Sequence, residues 1–255
     1  MEERKLKVND MFLSFQGEGQ SIGIPMFFIR FSGCNLSCPM CDTEFELFRE
    51  MTISRIYKVL EYKNQDIAKI VSLTGGEPLL QNPEDLFLLM NKIFWNKNYR
   101  FVLETNATLY KNLNQMLSIS NYELSEYIYT INADIKTEKD GSFMHGIEEN
   151  QIEFFKIMAK HFHNNTLKIV IQPEMVTPES KSPLYITMNK VLSCFTDKNI
   201  NISLTPLTQP DGKITQLKTE DLFNIYSQVE KAVINNNVTA DIRIIPQTHR
   251  ILNIP

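Results

Sequence analysis

The chain alternates between short apolar runs, rich in β-branched and aromatic residues, and stretches whose apolar positions have helical spacing. The apolar runs predict strands at 26–31, 70–74, 100–104, 127–131, 167–171, 200–204 and 238–244. The intervening stretches predict helices at 53–62, 83–95, 148–162, 184–195 and 222–234. Because strands that alternate with helices form right-handed crossovers, the pattern predicts an α/β fold with a mostly parallel sheet.

The 255 residues allow one large domain or two small ones. The sequence contains no internal repeat and no low-complexity linker, and its best loop candidate is 177–183. A single domain spanning residues 1–255 is therefore the simplest prediction.

Composition narrows the function classes. The net charge is −4 and there is no long run of Lys or Arg, so we expect no nucleic-acid partner. The first ten residues lack the apolar core of a signal peptide, and no segment has the ~18 consecutive apolar residues needed to cross a bilayer. We therefore expect no membrane partner and a cytoplasmic location, where thiols stay reduced.

Polar segments follow several of the predicted strands. They are TGGEP at 74–78, ETNAT at 104–108, ADIKT at 133–137 and TPLTQPDG at 205–212. In open parallel sheets, ligands bind beyond the carboxyl ends of the strands. These segments should therefore converge on one rim and form a binding site.

Three of the four cysteines are crowded into one short segment. Cys34, Cys38 and Cys41 have the spacing Cys-x3-Cys-x2-Cys, whereas Cys194 lies in a helix-like segment far away. Thiolates are soft ligands that suit iron–sulfur clusters, zinc or copper(I). A zinc knuckle completed by a distant histidine remains open, but three ligands with a vacant fourth position favour a cluster that binds another molecule directly.

This cysteine triplet, followed by a strand that ends in Gly-Gly-Glu, resembles the signature pair of the radical S-adenosylmethionine (SAM) enzymes. The resemblance implies a 4Fe–4S cluster on Cys34, Cys38 and Cys41, with SAM on the fourth iron. It also implies that Gly75, Gly76 and Glu77 receive the SAM amino group, Glu77 as an acceptor for the ammonium. The implied fold is a partial (β/α)6-type radical SAM barrel with outer helices.

The flanking residues resemble one family more closely, the 7-carboxy-7-deazaguanine synthases. The matching motifs are Gln-Gly-Glu-Gly at 16–19, Gly-x-Pro at 23–25, Phe-x-Arg-x-x-Gly-Cys-Asn at 28–35, Cys-Asp-Thr at 41–43, and the C-terminal PQTHRILNIP. The resemblance implies ring contraction of 6-carboxy-5,6,7,8-tetrahydropterin to 7-carboxy-7-deazaguanine with release of ammonia, in queuosine or deazapurine biosynthesis. SAM would supply a 5′-deoxyadenosyl radical and be regenerated.

The same resemblance implies site residues, and it assigns no catalytic side chain beyond the cluster and the SAM radical. A tail at about 246–255 would fold back to the active site, and Thr43 would bind Mg²⁺. The substrate would contact Phe15, Gln16, Gly17, Glu18, Arg30, Thr74, His249 and Pro255. SAM would contact Met40, Asp42, Gly75, Gly76, Glu77, Thr105, Asp134, Ile135, Lys136, Thr205, Pro206, Leu207 and Thr208.

Some of these assignments have plainer alternatives. Arg30 could form a structural ion pair, 16–19 could be an ordinary turn, Thr43 could cap a helix, and Asp134 with Lys136 could be a surface pair. The chain also departs from the family pattern at Ala107, where the family usually has Gly, and in the long, charged segment after 133.

Two other classes of protein remain as alternatives. A glycyl-radical-enzyme activase would share the cysteine spacing and the Gly-Gly-Glu turn, and a zinc-binding interaction module would share the cysteines. Family resemblance further implies a flavodoxin or ferredoxin as reductant and a homodimer.

Overall fold

The computed structural model describes residues 4–39, 41, 46–121, 123–177, 182–209, 212–252 and 254. Its strands are β1 (Lys5–Phe15), β2 (Pro25–Phe31), β3 (Arg49–Thr52), β4 (Ile70–Gly75), β5 (Arg100–Thr105), β6 (Ile128–Ile135), β7 (Asn165–Ile171), β8 (Asn199–Pro206) and β9 (Thr239–Ile244). Its α-helices are α1 (Ile53–Asn64), α2 (Pro83–Lys97), α3 (Tyr110–Ile119), α4 (Leu124–Tyr127), α5 (Glu148–His161), α6 (Pro183–Leu192), α7 (Thr219–Asn235) and α8 (Thr248–Leu252).

Within the described residues, the nine strands form one sheet in the order β3-β1-β2-β4-β5-β6-β7-β8-β9. The strands from β2 through β4 to β9 pair in parallel, while β1 runs antiparallel to both β2 and β3. The two edge strands are β3 and β9, which do not pair with each other, so the sheet does not close into a barrel. The predicted α/β class, with a mostly parallel sheet and outer helices, is confirmed.

All seven predicted strands and all five predicted helices are present, with bounds shifted by a few residues. Strands β1 and β3 were not predicted because charged residues break up their apolar pattern. Helices α3, α4 and α8 were not predicted because each has ten residues or fewer. Of the predicted loop at 177–183, residues 178–181 lie outside the described residues.

Strand β2 shows how the sheet separates core from cleft. Phe27, Ile29 and Phe31 are buried on the face that the helices cover. Met26 and Phe28 lie on the opposite face, within a smaller apolar cluster. Because side chains alternate along a strand, Arg30 continues this second face toward the carboxyl end of β2.

Local sequence signals set the helix boundaries. Thr52 accepts a hydrogen bond from the Arg55 backbone N–H and begins α1, and Asn82 does the same for α2 with Pro83 as its first residue. Helix α2 ends at Asn98, whose φ of 55° places it in the left-handed region. These signals determine where α1 and α2 begin and where α2 ends.

No helix in the described part of the chain is both long and apolar enough to cross a bilayer.

Candidate active site

Charged and polar side chains from five neighbouring strands share one face of the sheet. Arg30 of β2 lies beside Thr74 of β4, and Asp134 of β6 lies beside Lys168 of β7. Glu104 of β5 is in register with Asn132 of β6. All of these residues lie toward the carboxyl ends of their strands, where open parallel sheets bind ligands.

These strand ends form a cleft of about 1240 Å³. Most of the site residues predicted from the sequence line it: Phe15, Gln16, Gly17, Glu18, Arg30, Cys34, Cys38, Cys41, Thr74, Gly75, Gly76, Thr105, Asp134, Ile135, Lys136, Thr205, Pro206, Leu207, Thr208 and His249. Glu77 is not among the lining residues. Met40, Asp42, Thr43 and Pro255 lie outside the described residues, so their assignments stay predictions.

The cysteine loop follows β2 directly and opens on the cleft. Cys34 and Cys38 are partly buried and Cys41 is exposed, and the Cys41 backbone N–H donates to the Cys38 carbonyl at 3.1 Å. Burial raises the pKa of Cys34 and of Cys38, and the neighbouring thiols of the loop raise it further. The three sulfurs therefore lie close enough to influence one another, on the wall of the cleft.

The Gly75–Gly76 turn packs directly on the backbone that leads into the cysteine loop. A Cβ on Gly76 would come within 2.0 Å of the Gly33 carbonyl oxygen, and one on Gly75 would come within 2.1 Å of the Phe31 carbonyl oxygen. Gly75 also has a φ of 120°, a conformation that other residues rarely adopt. The two glycines are needed because no side chain fits between β4 and the cysteine loop.

Glu77 does not line the cleft and joins β4 to the end of β5. Its carboxylate is fully buried and accepts hydrogen bonds from the Thr105 hydroxyl, the Asn106 backbone N–H and the Leu79 backbone N–H. Burial raises the pKa of Glu77 to about 7, although these hydrogen bonds oppose the rise. The structure thus places this carboxylate in a structural network, with Gly75 and Gly76 nearer the cleft.

A second network ties the cysteine loop to the end of β5. The Asn106 amide donates to the Asn35 side-chain oxygen at 3.0 Å and to the Cys34 sulfur at 3.8 Å. The Asn35 amide in turn donates to the Thr108 hydroxyl at 2.7 Å. Between them, Ala107 is fully buried with a φ of 57°, so this departure from the family pattern adopts the left-handed conformation that a glycine would take more easily.

A buried lysine, Lys168, lines the cleft and lies among three carboxylates. The Lys168 ammonium lies 2.5 Å from Glu18 Oε2, 3.3 Å from Glu104 Oε2 and 3.4 Å from Asp134 Oδ1. Asp134 also pairs with Lys136 at 2.8 Å. Because both members are only 27% and 29% exposed, this pair is part of the cleft wall rather than the surface pair considered above.

These contacts set the protonation of the acidic groups. Burial raises the pKa of Glu18, but the ion pair with Lys168 more than offsets this, and the net pKa is lowered. Burial raises the pKa of Glu104, and the nearby Glu18 charge adds to the rise while Lys168 opposes it. For Asp134, burial is outweighed by Lys136 and Lys168, which lower its pKa to about 2.

Arg30 lines the cleft and carries no ion pair with any described residue. Its guanidinium lies 4.9 Å from the centroid of the Phe12 ring, and Phe12 stacks on Phe28 with centroids 5.2 Å apart. The structural ion pair considered as an alternative is therefore not formed within the described part of the chain. The contact with the Phe12 ring holds the guanidinium near the cleft wall while leaving its donors available for an anionic ligand.

The C-terminal segment packs on the turn at 16–19. The Thr248 backbone N–H donates to the Gly17 carbonyl at 2.9 Å, and the Gln247 amide donates to Glu18 Oε1 at 2.6 Å. His249 Nδ1 lies 4.0 Å from Glu18 Oε1. The turn is thus held from one side by the C-terminal segment and from the other by Lys168.

Several side chains that shape this cleft were not among the predicted site residues, although Glu104 and Asn106 belong to the segment 104–108 expected at this rim. Glu104, Asn106 and Lys168 line it, and Gln247 and Asn132 bind its carboxylates. The available signal was period-two placement, since Glu104 and Lys168 interrupt otherwise apolar strands whose charged positions must face a polar site.

The donor set fits an iron–sulfur cluster. Three thiols on one loop face the cleft, and Cys34 accepts hydrogen bonds from the Leu36 backbone N–H and the Asn106 amide, as cluster sulfurs do. Among the described residues, no three potential ligands are grouped for a single metal ion.

Comparisons with known proteins agree with this geometry. Residues 28–174 match the model of the radical SAM superfamily. The 7-carboxy-7-deazaguanine synthase of Halobacterium salinarum is 30% identical over 181 residues, covering 70% of this chain and 69% of that protein. The enzyme of the same name from Rickettsia prowazekii is 43% identical, but this alignment covers only 43% of this chain and 47% of that protein.

A third relative and a solved structure extend the similarity along the chain. The 7-carboxy-7-deazaguanine synthase of Methanopyrus kandleri is 26% identical over 97% of this chain and 94% of its own length. The crystal structure of QueE from Escherichia coli matches with a TM-score of 0.55 and 17% identity over 94% of each chain, which shows a shared fold.

The superfamily model covers more than half of the chain, and the archaeal relatives match most of its length under a single name. Neither alternative class, the activase or the zinc module, is supported by these relatives. The cysteine loop, the glycine turn and the charged cleft belong to the matched region or open onto it. The chain therefore belongs to the radical SAM superfamily and, within it, to the 7-carboxy-7-deazaguanine synthase family.

Proposed function

We propose that this chain is a radical SAM lyase that converts 6-carboxy-5,6,7,8-tetrahydropterin to 7-carboxy-7-deazaguanine and ammonia. The observation that carries the proposal is the placement of the cysteine loop, an unpaired Arg30 and the carboxylates of Glu18 and Glu104 around one cleft. Substrate and product differ by one ammonia, so the overall reaction needs no net oxidant or reductant.

The groups of the cleft match the chemistry of this substrate at both ends. Arg30 offers the pterin carboxylate a guanidinium, which lies over the Phe12 ring. Glu18 and Glu104 offer acceptors for the amino and ring N–H groups of the pterin, and Thr74 lies next to Arg30 in register. Gln16 and His249 support Glu18 and Glu104 from the side of the turn.

The cofactor-binding groups lie at the strand ends beside this substrate pocket. We propose that Cys34, Cys38 and Cys41 hold the 4Fe–4S cluster and that SAM lies along Gly75, Gly76, Asp134, Lys136 and 205–208. When bound, the cluster and SAM supply the hydrogen-abstracting radical. Since the Glu77 carboxylate is buried and fully hydrogen-bonded, acceptors for the SAM amino group are proposed to come from the backbone of the glycine turn.

Magnesium remains part of the proposal through Thr43, which lies outside the described residues. The oxygen ligands of the described cleft are engaged with Lys168 and Lys136, so substrate oxygens and water would supply most of the octahedron. We also propose a cytoplasmic location, a flavodoxin or ferredoxin as reductant, and a homodimer. The four free cysteines support a reducing compartment.

The test is anaerobic reconstitution followed by a product assay. The protein should bind iron and sulfide, and with reductant, SAM and 6-carboxytetrahydropterin it should release 7-carboxy-7-deazaguanine and ammonia in equal amounts. Omitting Mg²⁺ should slow the reaction. An intact, reducible cluster that cleaves SAM but forms no deazaguanine would refute the proposed substrate, and retention of zinc instead of iron would refute the cofactor.

A further inference from the structure

One lysine holds both of the carboxylates that face the proposed substrate. Lys168 lies on β7, at the centre of the cleft floor, and its side chain is only 10% exposed. It contacts Glu18 from the turn after β1 and Glu104 from β5. These two residues are 86 positions apart in the chain, so the ammonium joins two separate walls of the cleft.

The contacts are divided by oxygen atom. Lys168 binds the Oε2 atom of both carboxylates, while amide donors occupy the Oε1 atoms. Gln247 donates to Glu18 Oε1 at 2.6 Å, and Gln16 and Asn132 donate to Glu104 Oε1 at 2.8 and 2.7 Å. A carboxylate bound at both oxygens cannot rotate without breaking one of these contacts. Each group is therefore held in one orientation.

The charges show why a cation is needed between them. Asp134 has a second partner in Lys136, so Lys168 is the cation that Glu18 and Glu104 share among the described residues. His249 lies 4.0 Å from Glu18 and is charged only when protonated. Without Lys168, two buried carboxylates would face each other, and one would take up a proton or turn away. The raised pKa of Glu104 agrees with this, since Glu18 already contributes to it.

We propose that Lys168 is a positioning residue that keeps Glu18 and Glu104 ionised and oriented as a pair of acceptors for the N–H groups of the substrate. This inference rests on the proposed function for the identity of the ligand. Lys168 itself is only 10% exposed and contacts both carboxylates, so it acts through them. A neutral residue at this position leaves one acceptor protonated, so the site then presents an O–H donor to a substrate edge that also donates.

The substrate arm of the test uses the reconstituted holoenzyme. Lys168→Met should raise KM for 6-carboxytetrahydropterin at least about tenfold, equivalent to ~1.4 kcal/mol. SAM cleavage without substrate should change much less because Asp134 keeps Lys136 as a partner. Lys168→Arg keeps the charge and should recover most of the affinity. The control is Lys190→Met, which removes an exposed lysine paired with Glu148 and should change neither value. The inference would be overturned if Lys168→Met raised KM and slowed SAM cleavage by the same factor, or if it left KM unchanged.

A stability arm separates this inference from the proposed function because it needs no substrate. Lys168→Met should lower Tm, since a buried charge loses its partner. Adding Glu104→Gln should recover part of that loss, whereas Glu104→Gln in the wild-type background should not stabilise the protein. If Glu104→Gln has the same effect in both backgrounds, Lys168 does not balance this carboxylate and the inference is wrong. If the wild type converts no pterin but the stability coupling is found, the proposed function fails while the pairing by Lys168 stands.

Discussion

The His249 ring lies so close to Gly17 that a Cβ on this glycine would come within 2.5 Å of the imidazole Nδ1 atom. Gly17 is thus required for the contact between the turn at 16–19 and the C-terminal segment, although the sequence offers it only as one glycine of a turn. Any side chain at this position must push His249 away from Glu18.

Gly17→Ala should therefore displace His249 and raise KM for the pterin several-fold, with little change in SAM cleavage. The reason is steric, and steady-state kinetics of the holoenzyme measure it. In a His249→Gly background the clash is absent, because the Cβ of His249 would itself lie 2.7 Å from the added methyl group, so adding Gly17→Ala should have little further effect. A large additional loss in that background would show that the methyl group acts on something other than the histidine.

Arg30 is expected to bind an anion because its donors are free of ion pairs within the described residues. Arg30→Met should raise KM for the pterin by roughly a hundredfold, since truncating one partner of a buried charged pair commonly costs about 2–5 kcal/mol. Arg30→Lys should recover only part of the affinity because an ammonium cannot bind a carboxylate with two parallel hydrogen bonds.

The same Arg30 variants should leave Tm nearly unchanged, because no described ion pair is lost. Lys92→Met serves as the control, since Lys92 is likewise stacked on an aromatic ring, Tyr57, but lies away from the cleft. An unchanged KM in Arg30→Met, with the cluster intact, would exclude a substrate contact at this residue.

The raised pKa of Glu77 predicts that the free energy of unfolding depends on pH in protein without cluster or SAM. Burial raises its pKa from the ordinary 4.5 of a glutamate to about 7 in the folded chain. The folded state therefore holds a proton that the unfolded state has released, and this contribution to stability is complete below about pH 4.5 and lost as pH rises to about 7. The loss amounts to roughly 3 kcal/mol.

Denaturant unfolding from pH 5 to 8 measures this effect. Glu77→Gln removes the titrating group, so its unfolding free energy should fall less steeply over the same range, although the amide also breaks the hydrogen bonds with Thr105 and Asn106. Parallel slopes for the two proteins would assign the pH dependence to other groups, among which Glu104 has the same sign.

The hydrogen bonds of Asn106 to the cysteine loop should affect how much iron the protein binds. Its amide joins Asn35 and Cys34 to the end of β5, so Asn106→Ala should loosen the cysteine loop and lower the iron content after anaerobic reconstitution. The cluster should also be lost faster in air. Asn96→Ala is a matched control because Asn96 is exposed and its amide binds only the Lys92 carbonyl. Identical iron content in all three proteins would show that the loop does not depend on this network.

The parallel strands were predictable because strands covered on both faces are nearly continuous apolar runs. Strand β1 was not, since charged residues interrupt the apolar positions of KLKVNDMFLSF and a register shift between Val8 and Asp10 breaks its alternation. The cysteine loop and the glycine turn could be named because their chemistry depends on local spacing.

Lys168 could not be identified as a site residue from the sequence, because its role depends on contacts between distant segments rather than on local spacing. Lys168 sits inside NTLKIVI, and only the pairing of β6 with β7 brings it beside Asp134. Glu77 shows the converse limit, since its place in the motif does not reveal that its carboxylate is buried and bound to Thr105 and Asn106. Which way a side chain points depends on register and packing, which sequence spacing alone does not determine.

The hydrogen bond between Gln247 and Glu18 spans 229 positions of the chain. From β5 to β9, in contrast, each strand pairs with the one before it in sequence, so most of the sheet can assemble step by step from nearby segments. Contacts between distant segments form late because closing a long loop costs entropy. A folding chain should therefore complete its sheet before its binding cleft, and an intermediate with native secondary structure would have no competent pocket for the pterin.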